Sequence, residues 1–278
     1  MLRLFDRGRR EEESIVLNLR RIGIKIHSTC LDEDGQSRVD FGSHVSGSVD
    51  GIIEGGVPEA PVARHVAEFK THNLKSFNEL KRLGVFEAKR RHWCQMQAYM
   101  MGTKIDRALY VAVCKDNDEM YTERIHYNPQ AAYEIVERGK RIALSERMPP
   151  PLSADPTWYQ CRMCPAHEFC HLTRVIAPEC VNCRTCAHST PLVDSRWKCE
   201  FLGCAIDPDG QLEACASHAL HPDLTPWKFL GGDSEGRCAL YEIDGVKVLN
   251  GSGPGSISTG DLLRGVRTAA ADQTDAPF

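Results

Sequence analysis

The stretch HVAEFKTHN, residues 65–73, decides the predicted fold because it combines a buried-strand pattern with two opposite charges. Val66 and Phe69 are apolar, as expected of a strand that packs in a core. Glu68 and Lys70 are two residues apart, so in an extended chain both side chains point to the same face. E-x-K alone is more often a surface ion pair. It indicates a functional site only if other acidic residues meet it.

The composition is that of a globular protein. Hydrophobic residues make up 42% of the 278 residues and charged residues 26%, which allows one large domain and a small module. No apolar run approaches the roughly 20 residues that span a bilayer, and the N-terminus is too charged for a signal peptide. We therefore expect an intracellular protein that does not enter a membrane. A net charge of -4 argues against binding DNA through bulk charge, but permits local basic tracks such as KRRH at 89–92.

Hydrophobic periodicity predicts alternating helices and strands in the first half of the chain. Predicted helices cover residues 9–22, 74–102 (broken near Gly84) and 129–147. Predicted strands cover residues 24–29, 44–53, 65–70, 107–115 and 120–127. Strands bracketed by helices favour an α/β or α+β fold in which helices pack on a sheet.

A second acidic residue lies upstream, in SGSVDGIIEG at residues 46–55. If this segment neighbours the strand with Glu68, Asp50 lies beside Glu68, and a cation relieves the repulsion of the two carboxylates. Oxygen ligands of this kind select Mg²⁺ or Mn²⁺. Lys70 would then orient or help deprotonate a water and offset charge on a phosphate, which suits phosphodiester hydrolysis. Asp50-Gly51 is also compatible with a simple hairpin turn.

The segment CQMQAYM, residues 94–100, adds two polar side chains four residues apart. Gln95 and Tyr99 lie on one face of the predicted helix, where they can hold a phosphate or a water. Glu12, on the first predicted helix, is a candidate for a further metal ligand.

The ordered set of Asp50, Glu68-x-Lys70 and Gln95-x₃-Tyr99 resembles the PD-(D/E)XK nucleases, in particular the RecB-like branch. That branch includes the nuclease domains of RecB and AddB and the CRISPR-associated iron–sulfur exonucleases. The resemblance covers about residues 1–171. It implies a restriction-endonuclease-like central mixed sheet flanked by helices, and metal-dependent DNA cleavage that leaves a 5′-phosphate.

The resemblance also implies roles for single residues. Asp50 and Glu68 become metal ligands, and Lys70 becomes the catalytic lysine. Many members carry a histidine on the first helix, for which Glu12 is the best match here and His44 is a second candidate. Basic and polar residues near the motifs are well placed to contact the DNA backbone, although a solvated face is the more common role of any one such residue: His72, Asn73, Lys75, Lys89, Arg90 and Arg91.

The thirteen cysteines are unevenly distributed, since three precede residue 160 and ten fall between residues 161 and 238. In an intracellular chain, C-x-x-C pairs indicate metal rather than disulfides. Cys161, Cys164 and Cys170 resemble the cluster that holds [4Fe–4S] in the iron–sulfur members of the family, where a fourth cysteine lies upstream. Cys30 is the candidate for that fourth ligand, although it follows the first helix rather than preceding it. A zinc site completed by His167 or His171 is the alternative.

A second cysteine group predicts a structural zinc site. Its four ligands would be Cys183, Cys186, Cys199 and Cys215, with His188 and His218 as alternates and Cys180 and Cys204 to spare. We therefore expect three regions: a nuclease domain over 1–175, a zinc module over 176–245 and a disordered tail over 246–278.

The sequence thus predicts a Mg²⁺- or Mn²⁺-dependent deoxyribonuclease, with an exonuclease favoured. The resemblance places it in recombination, repair or phage DNA metabolism, in the cytoplasm of a bacterium or of a phage host. Its partners would be DNA and a recombination protein. The alternatives are a catalytically silent DNA-binding protein on a nuclease fold and a zinc-dependent adaptor protein.

Overall fold

A computed structural model describes residues 2–32, 38–171, 178–232 and 236–265 of the chain. The chain divides into two compact units, Met1–Arg141 and Ile142–Phe278. The predicted domain boundary after residue 175 falls outside the described residues and stays a prediction. No helix within the described ranges is long and apolar enough to cross a membrane.

The first unit is built on a mixed sheet. Its described strands are Ile26–Ser28 (β1), Arg38–Asp40 (β2), Ser46–Ser48 (β3), Gly51–Ile53 (β4), His65–His72 (β5), Arg107–Cys114 (β6) and Met120–His126 (β7). In this part of the chain β1, β4, β5, β6 and β7 form a five-stranded sheet in that order, and β2 pairs with β3. The pair β5–β6 is parallel, whereas the other pairs of the sheet are antiparallel. The predicted central mixed sheet is therefore confirmed.

Helices flank the sheet of the first unit. They are Leu2–Arg21 (α1), Leu74–Ala88 (α2), Arg90–Thr103 (α3) and Pro129–Ala143 (α4). The apolar stripe of α1 packs in one cluster with Ala67 and Phe69 of β5. Apolar residues of α2 and α3 pack in a second cluster with Val66 of β5. Because side chains alternate along a strand, Glu68 and Lys70 share the face of Val66, toward α2 and α3.

The predicted break at Gly84 is confirmed as a kink within α2. Gly84 has φ 73° and ψ 173°, in the left-handed half of the map that favours glycine. The interruption exposes the amide of Val85, which donates to Glu123 Oε2 at 2.8 Å. A carboxylate from β7 therefore satisfies the backbone group that the kink leaves without a helical partner.

The second unit consists of short elements. After two four-residue helices, Tyr159–Arg162 (α5) and His167–Cys170 (α6), its described strands are Ser189–Pro191 (β8), Trp197–Cys199 (β9), Cys204–Ile206 (β10), Lys228–Gly232 (β11), Cys238–Ile243 (β12) and Val246–Gly251 (β13). Among the described residues they form two antiparallel sheets, in the orders β10-β9-β8 and β11-β12-β13. The buried apolar clusters are small: one has Leu220 and Leu263 at its centre, the other Tyr241.

The prediction of a disordered tail from residue 246 does not hold for its described part. Residues 246–251 form β13, which pairs with β12 through a turn in which Asp244 and Gly245 both have positive φ. Asp-Gly with two positive φ values is the turn that fits a two-residue hairpin, a signal that the Gly- and Ser-rich composition concealed. Residues 259–265 are helical, and Leu263 is only 1% exposed. Residues 266–278 lie outside the described ranges.

Candidate active site

Two carboxylates and one ammonium group meet where β4 and β5 separate. The last paired residues are Gly51 and Ala67, so Asp50 leaves the sheet beside Glu68 and Lys70. Lys70 Nζ lies 2.5 Å from Glu68 Oε1 and 3.4 Å from Asp50 Oδ2. The amide of Phe69 also donates to Asp50 Oδ2, at 2.8 Å. The three side chains therefore share one small volume.

Glu68 is the most buried member of this acidic cluster. Its side chain is 0% exposed, and apart from the ion pair with Lys70 neither carboxylate oxygen has a hydrogen-bond donor among the described residues. Burial, and next the charge of Asp50, raise the pKa of Glu68 to about 7. An ionised carboxylate in this position is stabilised by any additional cation that reaches it.

Glu12 of α1 borders the same cluster. Burial raises the pKa of Glu12, the charge of Asp50 raises it further, and Lys70 opposes both. A cleft of about 140 Å³ opens here, lined by Gly8, Glu12 and Lys70 among others. The first helix thus brings a third carboxylate to the edge of the site.

Lys70 is held in its charged form. Burial alone would lower the pKa of this ammonium, but Glu68 and Asp50 together outweigh burial, and the pKa is raised. A charged lysine donates hydrogen bonds and compensates negative charge, and it does not accept a proton. The raised pKa therefore favours a Lys70 that orients a water molecule over a Lys70 that removes a proton from it.

Gln95 and Tyr99 of α3 face this cluster. Gln95 Nε2 donates to the hydroxyl of Tyr99 at 3.0 Å. Burial raises the pKa of Tyr99, and the charges of Glu68 and Asp50 contribute to the increase. Gly47 allows the ring to approach, because a Cβ on this residue would lie 2.6 Å from Tyr99 Cε1.

His72, which was predicted to contact DNA, is only 8% exposed, and DNA contact by this residue stays a prediction. Its Nε2 lies 2.9 Å from the hydroxyl of Tyr110, which is also 2.9 Å from Nδ1 of His92. Sequence reasoning gave no role to Tyr110. Its position opposite Glu68 depends on the β5–β6 register, which no local signal reveals.

The other residues predicted to contact DNA are partly engaged within the protein. Asn73 caps α2 by accepting from the amide of Ser76 at 2.8 Å. Lys89 pairs with Glu79 at 3.0 Å, and the Arg90 guanidinium lies 4.0 Å from the ring centroid of Phe86. Lys75 and Arg91 are exposed. DNA contact by these five residues stays a prediction.

The remaining candidate ligands of the first unit are His44 and Cys30. His44 lies in the turn between β2 and β3 with φ 64°, and its role as a ligand stays a prediction. Cys30 Sγ lies 3.0 Å from Ser28 Oγ. Burial raises the pKa of Cys30, and Glu12 contributes, so this thiol lies near the acidic cluster of its own unit.

Several thiols of the second unit lie near one another, and their roles as metal ligands stay predictions. Burial, then Cys170 and Cys164, raise the pKa of Cys161, so these thiols are close enough to interact. Burial, then Cys215, Cys199 and Cys204, raise the pKa of Cys183. Burial raises the pKa of Cys186 to about 11, with contributions from Cys183 and Cys215.

The histidines near these cysteines are partly committed to other contacts. His218 contacts Thr259 Oγ1 at 2.9 Å and the carbonyl of Asn182 at 3.1 Å. His167 Nε2 lies 3.0 Å from the carbonyl of Pro156. In the part of the chain that the structure describes, no group of three or more histidine, cysteine, aspartate or glutamate side chains is already arranged to hold a metal ion.

Comparison with known proteins gives only distant structural likenesses. The chain matches no protein-family profile, and no curated protein is similar to it in sequence. The alkaline exonuclease LHK-Exo in complex with dAMP is 15% identical, with a TM-score of 0.36, over 49% of this chain and 64% of its own. LHK-Exo from Laribacter hongkongensis is also similar in a second structure, at 17% identity and a TM-score of 0.35, over 51% of this chain and 67% of its own. The protein SSO0001 is 17% identical, with a TM-score of 0.36, over 58% of this chain and 69% of its own. All three TM-scores are low, so the chemistry of the site has to follow from this chain's own side chains.

Proposed function

We propose that this protein is a divalent-metal-dependent deoxyribonuclease whose active site is the cluster of Asp50, Glu68 and Lys70. One observation carries the proposal: a fully buried glutamate beside a second carboxylate, with one ammonium group as its only partner among the described residues. Burying charge in this way is costly, and a site with this charge pattern gains from a cation and an anionic substrate.

The donor set fits Mg²⁺ or Mn²⁺. Mg²⁺ sites in nucleotide and nucleic-acid enzymes commonly use one or two carboxylates, with waters and substrate phosphates completing the shell. Asp50 and Glu68 would hold the ion, and Glu12 would join directly or through a water. When bound, such a metal polarises a phosphate and lowers the pKa of a coordinated water.

The other residues of the site would bind and orient. The Lys70 ammonium would orient the attacking water and stabilise charge on the phosphate. Gln95 and Tyr99 already contact each other, so together they present an amide and a hydroxyl to the scissile phosphate. The motif resemblance supports DNA as substrate, a 5′-phosphate product and action from an end, in recombination, repair or phage DNA metabolism. It also supports a recombination protein as partner.

The cysteines would hold structural metals. Thiolates are the ligands of zinc and of iron–sulfur clusters. In both groups neighbouring thiols contribute to the raised pKa of one cysteine, Cys161 in the first and Cys183 in the second. We propose zinc at Cys183, Cys186, Cys199 and Cys215. For Cys161, Cys164 and Cys170 we propose a [4Fe–4S] cluster, with Cys30 as fourth ligand. The test is a metal analysis of protein purified without oxygen. Iron and sulfide would support the cluster, and zinc alone would replace it with a zinc site.

The test of the active site is cleavage of end-labelled linear DNA and of a closed circle with Mg²⁺ or Mn²⁺. We expect Asp50→Asn, Glu68→Gln and Lys70→Ala each to lower the rate by at least about 100-fold, since each removes a charge that acts in the transition state. Glu54→Gln is the matched control, because Glu54 forms an exposed ion pair with Arg64. Resistance of the circle identifies an exonuclease.

A second measurement tests metal binding at this site without requiring DNA cleavage. Because a ligand that binds only the folded state stabilises it, Mn²⁺ should raise the melting temperature of the wild type and leave that of Glu68→Gln unchanged. A wild-type protein that binds DNA but never cleaves it, and that Mn²⁺ does not stabilise, would instead be a DNA-binding protein on this fold.

A further inference from the structure

A hydrogen-bonded chain of side chains runs beside the acidic cluster and ends on α3. Ser76 Oγ lies 3.2 Å from His72 Nδ1, and His72 Nε2 lies 2.9 Å from the hydroxyl of Tyr110. The same hydroxyl lies 2.9 Å from Nδ1 of His92. This hydrogen-bonded series therefore joins α2, β5, β6 and α3. Of these elements, β5 also carries Glu68 and Lys70, and α3 also carries Gln95 and Tyr99.

The position of His92 on α3 aligns it with the two polar residues already described. His92, Gln95 and Tyr99 are spaced three and four residues apart, so they lie along one face of the helix. Lys70 lies close enough to affect both histidines: burial, with Lys70 among the contributing charges, lowers the pKa of His72 and of His92 to about 4. Both rings are therefore neutral at neutral pH.

The order of donors along the chain sets what His92 presents outward. A tyrosine hydroxyl donates one hydrogen bond, so of the two imidazole nitrogens that it contacts one accepts and the other donates. If Ser76 donates to His72, then His72 donates to Tyr110 and Tyr110 donates to His92 Nδ1. His92 then carries its proton on Nε2. The ring is half-buried, and its bond to Tyr110 uses Nδ1, which leaves Nε2 for a ligand. With the order of donors that starts at Ser76, this nitrogen carries the proton.

We propose that His92 is a further substrate-binding residue, whose Nε2–H group donates a hydrogen bond to a phosphate oxygen of a DNA strand. This inference rests on the proposed function. Tyr110 and His72 act as positioning residues, because they fix the orientation and the protonated nitrogen of the His92 ring. A neutral donor held beside Lys70 adds directionality without adding another positive charge next to the ammonium.

The test compares two substitutions of the same ring. His92→Gln places an amide N–H near the original Nε2, whereas His92→Asn can replace Nδ1 only. Hydrogen bonds to charged groups correspond to a factor on the order of 10 to 100, so we expect kcat/KM for an end-labelled oligonucleotide to fall by that factor in His92→Asn and by much less in His92→Gln. The dissociation constant for the same DNA in EDTA should rise at least about 5-fold in His92→Asn.

The positioning role is tested by Tyr110→Phe, which removes only the shared hydroxyl. We expect kcat/KM to fall roughly 10-fold, with a change in melting temperature no larger than that of Tyr121→Phe. Tyr121 is the matched control, because its hydroxyl donates to Glu123 at 2.6 Å, in a half-buried bond of the same unit. His27→Asn, on an exposed strand position, controls for loss of a histidine.

The outcomes separate this inference from the proposed function. Cleavage that is lost in Glu68→Gln but unchanged in both His92 variants and in Tyr110→Phe overturns the inference and leaves the nuclease intact. A wild type that binds DNA without cleaving it, with affinity reduced in His92→Asn and restored in His92→Gln, supports His92 and overturns the nuclease. Equal loss in His92→Asn and His92→Gln, in proportion to lost stability, assigns the ring a structural role and also overturns the inference.

Discussion

Replacing Glu68 by glutamine is expected to change how the stability of the protein depends on pH. The folded protein raises the pKa of this buried carboxyl from 4.5 to about 7. Between these values the folded state holds a proton that the unfolded state has released. The free energy of unfolding therefore falls as pH rises through this window. Glutamine has the same shape and does not titrate.

The size of the effect follows from the pKa change. A difference from 4.5 to about 7 corresponds to about 3 kcal/mol of unfolding free energy, which is present below pH 4.5 and lost above pH 7. For a unit of this size, such a change corresponds to roughly 10 °C in melting temperature. The melting temperature of Glu68→Gln minus that of the wild type should therefore increase by roughly 10 °C between pH 5 and pH 8.

The measurement is calorimetric unfolding of both proteins in EDTA at several pH values from 5 to 8. Taking the difference between the two proteins matters because His72 and His92 act in the opposite direction. Burial lowers their pKa from 6.5 to about 4, so they stabilise the fold as pH rises through the same window. Their contribution is common to both proteins and cancels in the difference.

Two results would refute this reasoning. A stability difference that stays constant from pH 5 to pH 8 would show that Glu68 does not titrate in this window. A difference that is flat over this window and changes with the opposite sign below about pH 4.5 would show that Lys70 lowers the pKa of Glu68 below its ordinary value. The exposed ion pair of Glu54 and Arg64 supplies the control, since Glu54→Gln should change the pH profile by no more than about 1 kcal/mol.

Further predictions concern single contacts. Gly47→Ala should displace the Tyr99 ring, because the new Cβ would lie 2.6 Å from Tyr99 Cε1, and lower the cleavage rate without removing metal-induced stabilisation. Asn73→Ala removes the cap of α2 and should cost about 1 kcal/mol in urea-induced unfolding. Phe69→Ala removes a side chain that is only 1% exposed and should lower the free energy of unfolding by about 3–5 kcal/mol in the same assay. A smaller loss would imply that neighbouring side chains collapse into the cavity. Cys183→Ser should release zinc, measured as metal content of the purified protein, and lower the melting temperature of the second unit. Unchanged zinc would remove Cys183 from the ligand set.

Local signals predicted the elements that carry the acidic cluster. Alternation in residues 65–73 places Glu68 and Lys70 on one face of β5, and the spacing of Gln95 and Tyr99 places both on one face of α3. Gly51 marks the point at which Asp50 leaves the sheet. A Cβ on this residue would lie 2.8 Å from the carbonyl oxygen of His27, so the close approach of β1 and β4 requires glycine there.

These local signals could not predict contacts between residues that are far apart in the sequence. His72 lies next to polar residues in sequence and was expected at the surface, but its partner Tyr110 is 38 residues away and becomes adjacent only through the β5–β6 register. The tail was misjudged for a similar reason. Asn250 donates to Thr259 Oγ1 and accepts from the amide of Leu220, a set of bonds that composition cannot reveal.

The ion pair of Lys70 with Glu68 has a consequence for how the protein behaves without metal. The ammonium group offsets part of the negative charge of Asp50 and Glu68 before any divalent ion arrives. In EDTA the first unit should therefore stay folded, and cleavage should return when Mg²⁺ or Mn²⁺ is added back. At the proposed metal site Asp50 and Glu68 would hold the ion beside Lys70, and two carboxylates would favour a doubly charged ion over Na⁺ or K⁺.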